Sequence, residues 1–538
     1  MKFQAGLVCL LWAGLACAQD APHKATLDYI HGAWANLTRT SENCAAYADI
    51  KVTTQPVLYL PADVPTPAEA ATIAAKCGIR IAALPRKIDQ LGDVRPEELA
   101  QPGLLYLPHP YVVPGGRFNE MYGWDSFFII LGLEDDHRAA LAKDMVENFL
   151  YEVEHYGSVL NANRSYYLTR AQPPLLSSMI RAVMENPESF AATAAGRKER
   201  DAWLKHAFAV AAKDHATWER PEHRDAATGL DRYWDYGVGP VPEMADDATY
   251  YPDVIRWLVA HPGTADEMLV KASENPTAEE AATLRETSCD IAVGHVCKKA
   301  WAEGYRLTAD YYRGDRAMRE SGYDASFRFA AFSGATHHFA PVCLNAQLYR
   351  YERDMEHFAH LLGLPAEAAQ WKQKAAARAA AMQHYLWQPQ RGEFADYDLE
   401  KHSAATYPYV ASFYPMWAGV ATPEEARQMV KHLATFERKG GLSMSTYASG
   451  LQWDEPLGWA PAHWFVVEGL QAYGYKVEAK RIAEAFLQTA DKGFARDGTL
   501  REKYNVTDPD KPAVVSAGYK ANGVGFGWTN GVYLEFVR

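Results

Sequence analysis

Helix-start signals recur along this chain and constrain its fold more than any other feature. Thr66-Pro67-Ala68-Glu69, Thr277-Ala278-Glu279-Glu280 and Thr422-Pro423-Glu424-Glu425 each place a hydroxyl three residues ahead of a glutamate. In that arrangement a side chain and a backbone N–H cap each other reciprocally. Proline at the first helical position, as in the first and third, sacrifices no hydrogen bond. Apolar residues then recur at helical spacing, as in Leu141, Met145, Phe149 and Leu150, or in Met429, Val430 and Leu433. Residues 342–362 and 366–387 read as two long helices joined by Gly363-Leu364-Pro365, an αα-hairpin. Residues 20–50 and 476–490 read as further helices. Sustained two-residue alternation is scarce, and the VLYL run ending at Leu60 is a short strand at most. The predicted fold class is all-α.

Between the helices lie loops rich in Gly, Pro, Asn, Arg, Trp and Tyr, where a simple bundle would have short polar turns. Irregular loops on a rigid scaffold are where function concentrates. These loops run from about residue 111 to residue 531 with no low-complexity linker among them. Residues 19–538 therefore read as a single domain, although length alone would suggest roughly three or four.

The first 18 residues read as a signal peptide. Lys2 precedes the apolar run GLVCLLWAGLA, and Ala16-Cys17-Ala18 is an A-x-A cleavage site. The run is too short to span a bilayer. A periplasmic or secreted protein is expected, with a lipoprotein anchored through Cys17 ranked second because Gly14 fits that signal poorly. Net charge is −13, from 54 basic and 67 acidic residues. That balance argues against nucleic acid and anionic membranes, which are held by Lys and Arg. A small-molecule partner and a monomeric state are expected.

Five cysteines follow the signal. Cys289 and Cys297 bracket a short loop and form the favoured disulfide, while spacing gives no support to Cys44–Cys77. The sequence contains neither a CxxC pair nor HExxH, and adjacent His337 and His338 would diverge on a helix. No metal and no cofactor are expected.

Two distant stretches share the chemistry of a polyol pocket. Pro114–Asp125, PGGRFNEMYGWD, combines Arg117 with Trp124 and Asp125; Gln452–Pro461, QWDEPLGWAP, adds Trp453. An arginine fork, carboxylates and planar aromatic faces suit a ligand with many hydroxyls. Together these stretches resemble the two signature motifs of the trehalase family of glycoside hydrolases. Four more segments match in the family's order. They are NANRSYYLTRAQPP at 161–174, Glu320-Ser321-Gly322-Tyr323-Asp324, Glu502-Lys503-Tyr504-Asn505-Val506 and Gly525–Val532. The resemblance covers roughly residues 30–535.

The resemblance implies an (α/α) toroid of six helical hairpins, with the active site at one end. It also implies hydrolysis of α,α-trehalose to two glucose molecules with inversion, without metal or cofactor. Inversion requires one protonated carboxyl on the leaving oxygen and one ionised carboxylate that activates water. By the same resemblance Asp324 is the general acid and Glu502 the general base. Tyr323, Phe327 and Phe329 would desolvate Asp324, while Arg501 and Lys503 would keep Glu502 ionised. Taken alone, Asp324 would read as a helix cap and Glu502 as a solvated residue. Sugar binding falls to Arg117, Trp124, Asp125, Asn161, Arg170, Gln172, Glu243, Gly322 and Trp453, with Trp528 and Asn530 shaping the floor.

Three departures mark this sequence. The family's Arg-Pro-Glu appears as Val241-Pro242-Glu243, so a guanidinium is missing. Ser516-Ala517-Gly518-Tyr519-Lys520 lacks the carboxylate of the family's lid. Pro341-Val342-Cys343-Leu344-Asn345 carries Cys343 where the family has aspartate. The first two are expected at the sugar. They leave open a same-fold hydrolase acting on another α-glucoside, or a sugar-binding protein without turnover.

Overall fold

The computed structural model describes residues 23–48, 55–241, 249–271, 301–516 and 520–538. Its principal helices are α1 (Lys24–Leu37), α2 (Ala68–Cys77), α3 (Gly123–Asp135), α4 (Ala139–Tyr156), α5 (Leu176–Glu185), α6 (Ala194–Trp218), α7 (Tyr250–Ala260) and α8 (Ala309–Ser321). They continue with α9 (Val342–Leu361), α10 (Pro365–Ala381), α11 (Tyr414–Ala418), α12 (Pro423–Met429), α13 (Ala460–Ala472), α14 (Lys476–Asp497) and α15 (Gly527–Val537).

Contacts among six of these helices close a cycle. α3 packs on α5, α5 on α9, α9 on α11, α11 on α13, α13 on α15, and α15 back on α3. Sequence explains which helices lie inside. α3, α13 and α15 are apolar nearly all round, with Gly123–Ile130, Ala460–Val467 and Gly527–Leu534 entirely buried. α4 and α14, which pack outside α3 and α13, bury a single stripe, as Met145, Phe149 and Val153 do in α4. α3 and α15 approach so closely that a Cβ on Gly531 would lie 2.0 Å from the Phe128 carbonyl oxygen. Only glycine fits there.

The hairpin predicted around Gly363 forms between α9 and α10, with Pro365 at the first helical position of α10. The capping box at Thr422 also forms: Thr422 Oγ1 accepts the Glu425 N–H at 3.2 Å and Glu425 Oε2 accepts the Thr422 N–H at 2.7 Å. α2 begins after Pro67 with no side-chain cap, and residues 277–280 lie outside the described residues. α14 runs past residue 490 to end at Gly498.

The all-α expectation needs correction. The chain is mainly helical but carries small sheets. Val57–Leu60 pairs in parallel with Arg80–Ala83 and Leu104–Leu105. Leu457–Trp459 pairs antiparallel with Lys503–Asn505, and Tyr397–Asp398 with both Phe339–Ala340 and Ser403–Ala404. Long buried loops have backbone N–H and C=O groups to satisfy, and short ladders supply the partners. Alternation over two to four residues leaves too little pattern to read beforehand.

The disulfide that spacing did not support is present. Cys44 and Cys77 are bonded, tying the turn after α1 to the end of α2, while Cys289 and Cys297 lie outside the described residues. Neither cysteine of the observed bond is near the other in sequence, so only folding brings them together. His337 and His338 do not diverge. They occupy a tight turn, Thr336–His338, with ring centroids 3.9 Å apart. No described helix is long and apolar enough to cross a membrane.

Candidate active site

The Pro114–Asp125 stretch is fastened residue by residue to the loop at 161–172. Arg164 Nε donates to Glu120 Oε1 at 2.8 Å, both side chains buried. The Met121 N–H donates to Asn163 Oδ1 (2.8 Å), the Gly123 N–H to the Asn161 carbonyl (3.2 Å) and the Trp124 N–H to Gln172 Oε1 (2.8 Å). Buried polar groups must find partners, and here each loop supplies them to the other. The polar residues of these motifs thus build the loops as well as face a ligand.

Glu320, the first residue of Glu-Ser-Gly-Tyr-Asp, ties in a further segment. It is fully buried, and its carboxylate accepts the Ala171 N–H (3.2 Å) and the Trp234 N–H (2.6 Å), with His223 Nε2 at 3.2 Å. It therefore sets the loop that carries Arg170 and Gln172. α8 ends at Gly322, which has φ +76°. A Cβ there would meet the Trp124 indole at 2.8 Å, so the left-handed turn and the close approach both require glycine. This turn aims Asp324 into the cavity.

One cavity collects ten of the eleven residues selected from sequence: Arg117, Trp124, Asp125, Asn161, Arg170, Gln172, Gly322, Asp324, Trp453 and Glu502. The eleventh, Glu243, lies outside the described residues, as do residues 517–519 of the lid segment. Trp528 also lines the cavity; Asn530 is buried behind the wall. Trp459 stacks on Trp453 with centroids 3.9 Å apart and planes 5° apart. One face of Trp453 is therefore already taken, and the Trp124, Tyr323 and Trp528 rings pack around it as well.

The two carboxylates sit in different electrostatic surroundings. Glu502 Oε2 accepts from Lys503 Nζ at 3.0 Å and from the Gly523 N–H at 3.1 Å. Lys503 is fully buried and also donates to Gln452 Oε1 at 3.1 Å. One carboxylate oxygen is thus held by both a buried cation and a backbone donor. Arg501 plays no part in this, because its Nε goes to Asp497 Oδ2 at 3.0 Å.

Asp324 departs from expectation. Tyr323 packs against Trp124 and Trp453, Phe327 against Trp257 and Phe332, and Phe329 against Phe339. None of the three lines the cavity. The notable neighbour of Asp324 is Arg319, with Nη1 3.6 Å from Asp324 Oδ2. Asp125 is buried between these charges. Burial raises its carboxyl well above the usual range, and repulsion from Glu502 and Asp324 adds to the shift.

The sequence reading also left out Phe118, Tyr122, Tyr167, Gln452, Trp459 and Phe526, which lie within quoted motifs, and Arg319. Arg319 belongs to no quoted motif, but it stands one residue before Glu320 on the last turn of α8. Its Nε and Nη2 fork onto Asp315 at 3.2 and 3.1 Å, and the residue lines the cavity. The Asp315/Arg319 spacing, one helical turn apart and just ahead of Gly322, was the available signal.

Val241 was expected at the sugar and is not there. Its side chain is fully buried in an apolar cluster with Tyr250, Val254, Ile255 and Leu258. Its backbone N–H donates to Tyr251 Oη (3.0 Å), which donates to Asp315 Oδ2 (2.8 Å). The valine position is thus linked to Arg319 through Tyr251 and Asp315. Cys343 likewise lies away from the cavity, buried beside Arg328 and Tyr233.

Residues 18–255 and 264–538 match the family profile described as Trehalase. A cytosolic neutral trehalase from Emericella nidulans is 35% identical over 463 residues, covering 79% of this chain and 57% of that protein. A cytosolic neutral trehalase from Saccharomyces cerevisiae is 32% identical over 560 residues, covering 93% of this chain and 69% of that protein. The chain thus spans little more than half of one relative and about two thirds of the other. Among solved structures, the yeast neutral trehalase superposes with a TM-score of 0.74 at 30% identity, covering 95% of this chain and 93% of that one. A mannosylglycerate hydrolase from Thermus thermophilus, at 19% identity and a TM-score of 0.50, shares the fold over 80% of this chain.

The expectation of an exported, periplasmic-type protein is overturned by relatives named cytosolic neutral trehalases, two of which match 79% and 93% of this chain. That expectation rested on one lysine, a short apolar run and small residues, a compositional signal carried by residues outside the described part. With family profile, relatives and fold in agreement across its length, the chain belongs to the trehalase family of glycoside hydrolases.

Proposed function

We propose that this chain hydrolyses α,α-trehalose to two glucose molecules by an inverting mechanism that uses no metal or cofactor. Asp324 protonates the glycosidic oxygen as general acid. Glu502 activates a water on the opposite ring face as general base. The observation that carries this reading is that both carboxylates line one cavity together with Arg117, Arg170 and Arg319 and the Trp124 and Trp453 rings. The Lys503 and Gly523 donors fix the orientation of the Glu502 carboxylate, as a positioned base requires.

Arg117, Asn161, Arg170 and Gln172 donate to sugar hydroxyls, Asp125 bonds hydroxyls as well, and Trp124 and Trp453 pack on the rings. Glu243 is assigned to the same set on sequence alone. Gly322 leaves room for Trp124. The closed cycle of helices supports reading the fold as a six-hairpin (α/α) toroid, with residues 19–538 as one catalytic unit acting as a monomer.

A shifted substrate rested on the valine at 241 and on the carboxylate-free lid segment, of which residues 517–519 lie outside the described residues. With that side chain in the core and Arg319 reaching the cavity from α8, trehalose remains the favoured substrate. The test is glucose release from trehalose beside a panel of α-linked disaccharides, with the anomer of the first product read by NMR. Trehalose as the best substrate, with one β-glucose formed per cleavage, is the expected result. Preference for another disaccharide, or a purely α product, would contradict it.

A further inference from the structure

The turn holding His337 and His338 carries chemistry that the cavity does not use. Both imidazoles face Asp310, at the start of α8. His337 Nε2 lies 3.0 Å from Asp310 Oδ1, and His338 Nε2 lies 3.5 Å from the same oxygen. Glu400 Oε1 approaches His338 Nε2 at 3.3 Å. One donor atom from each of Asp310, His337 and His338 falls within 4.8 Å of the others. Zinc takes tetrahedral nitrogen and oxygen donors at about 2.0–2.1 Å, which sets neighbouring donors about 3.3 Å apart. The three separations here bracket that value.

The donor set is selective. Two imidazoles with carboxylates suit zinc and similar first-row ions, whereas calcium and magnesium prefer oxygen throughout. The placement also suits a metal. His337 is buried, its side chain 4% exposed, and its Nδ1 finds no partner among the described residues while Nε2 lies 3.0 Å from Asp310 Oδ1. Asp310 and Glu400 are open to solvent, which gives an ion its entry path.

We propose that Asp310, His337 and His338, with Glu400 as the adjustable fourth donor, form a site for a zinc-class divalent ion that clips the Asp324 segment closed. Asp310 and His337 bracket residues 311–336, which include Arg319, Gly322 and Asp324. Glu400 reaches the cluster from the turn between Tyr397–Asp398 and Ser403–Ala404, so the ion also ties in that sheet. An ion bound there stabilises the folded chain by mass action and takes no part in bond cleavage.

The experiment titrates Co2+ into the full chain after chelator treatment and follows ligand-field absorption, with Zn2+ as competitor. Asp310→Asn and His338→Gln are the variants; both positions reach solvent, and circular dichroism checks folding. The expected result is one Co2+ per chain with an intense tetrahedral-type spectrum, displaced by Zn2+, and a higher melting temperature in Zn2+. Each variant should weaken Co2+ binding by about tenfold or more. A weak octahedral-type spectrum, no saturable binding, or equal affinity in both variants would overturn the proposal.

Discussion

Arg319 Nη1 lies 3.6 Å from Asp324 Oδ2, while the same guanidinium holds Asp315 through Nε and Nη2. The fork on Asp315 fixes the arginine beside the proposed acid, in the lining of the cavity. A guanidinium pinned at one end is a pre-ordered donor, in contrast to a free side chain that must lose rotamer entropy on binding.

This predicts that Arg319→Lys lowers kcat/KM for trehalose about 10–100-fold, because an ammonium cannot hold Asp315 and reach the cavity together. Steady-state kinetics with a thermal melt separate this from unfolding. Unchanged kcat/KM would remove Arg319 from the site.

Val241 gives the complementary prediction. Restoring arginine there should not improve catalysis, since the side chain would enter the Tyr250–Leu258 cluster rather than the cavity. A buried charge without a partner costs about 3 kcal/mol or more. Val241→Arg should therefore melt several degrees lower. A variant that melts normally and turns over trehalose faster would place position 241 at the sugar.

Much of the site was legible because sugar chemistry restricts residue types. Arg117, Arg170, Asp324 and Glu502 stand in ordered motifs, and folding brings all four to one cavity. Arg319 was not legible, because an Asp/Arg pair one turn apart on a helix is ordinary on any surface. Only the turn at Gly322 reveals where it points. Val241 misled in the other direction: the motif marked a lost guanidinium, but only packing shows that the backbone there turns its side chain inward. Likewise Glu320 read as part of the acid's motif, yet it acts as a buried acceptor for the Ala171 and Trp234 N–H groups. The helices were readable from capping and period, whereas the two- to four-residue strands answer to loop hydrogen bonding that no local pattern records.

Glu134, at the end of α3, gives a pH prediction away from the catalytic cavity. Burial, with Asp135 and Glu185 nearby, pushes its carboxyl from 4.5 up to about 8. The folded chain thus keeps a proton there that the unfolded chain releases near its ordinary value. The stability this contributes is fully present below about pH 4.5 and is lost as pH rises through about 8. Glu134→Gln cannot ionise. Its stability relative to the parent should rise between pH 5 and pH 9, by about 1–3 kcal/mol. Urea denaturation at both ends of that range checks this, and a constant difference would contradict it.

The central claim is that Asp324 and Glu502 divide the acid and base roles, and the most direct measurement is glucose release from trehalose by Asp324→Asn and Glu502→Gln. Each substitution keeps side-chain shape and removes the ionisable group. The account predicts that each folded variant loses turnover by about 10²–10⁴-fold. Near-normal turnover in either variant would contradict it.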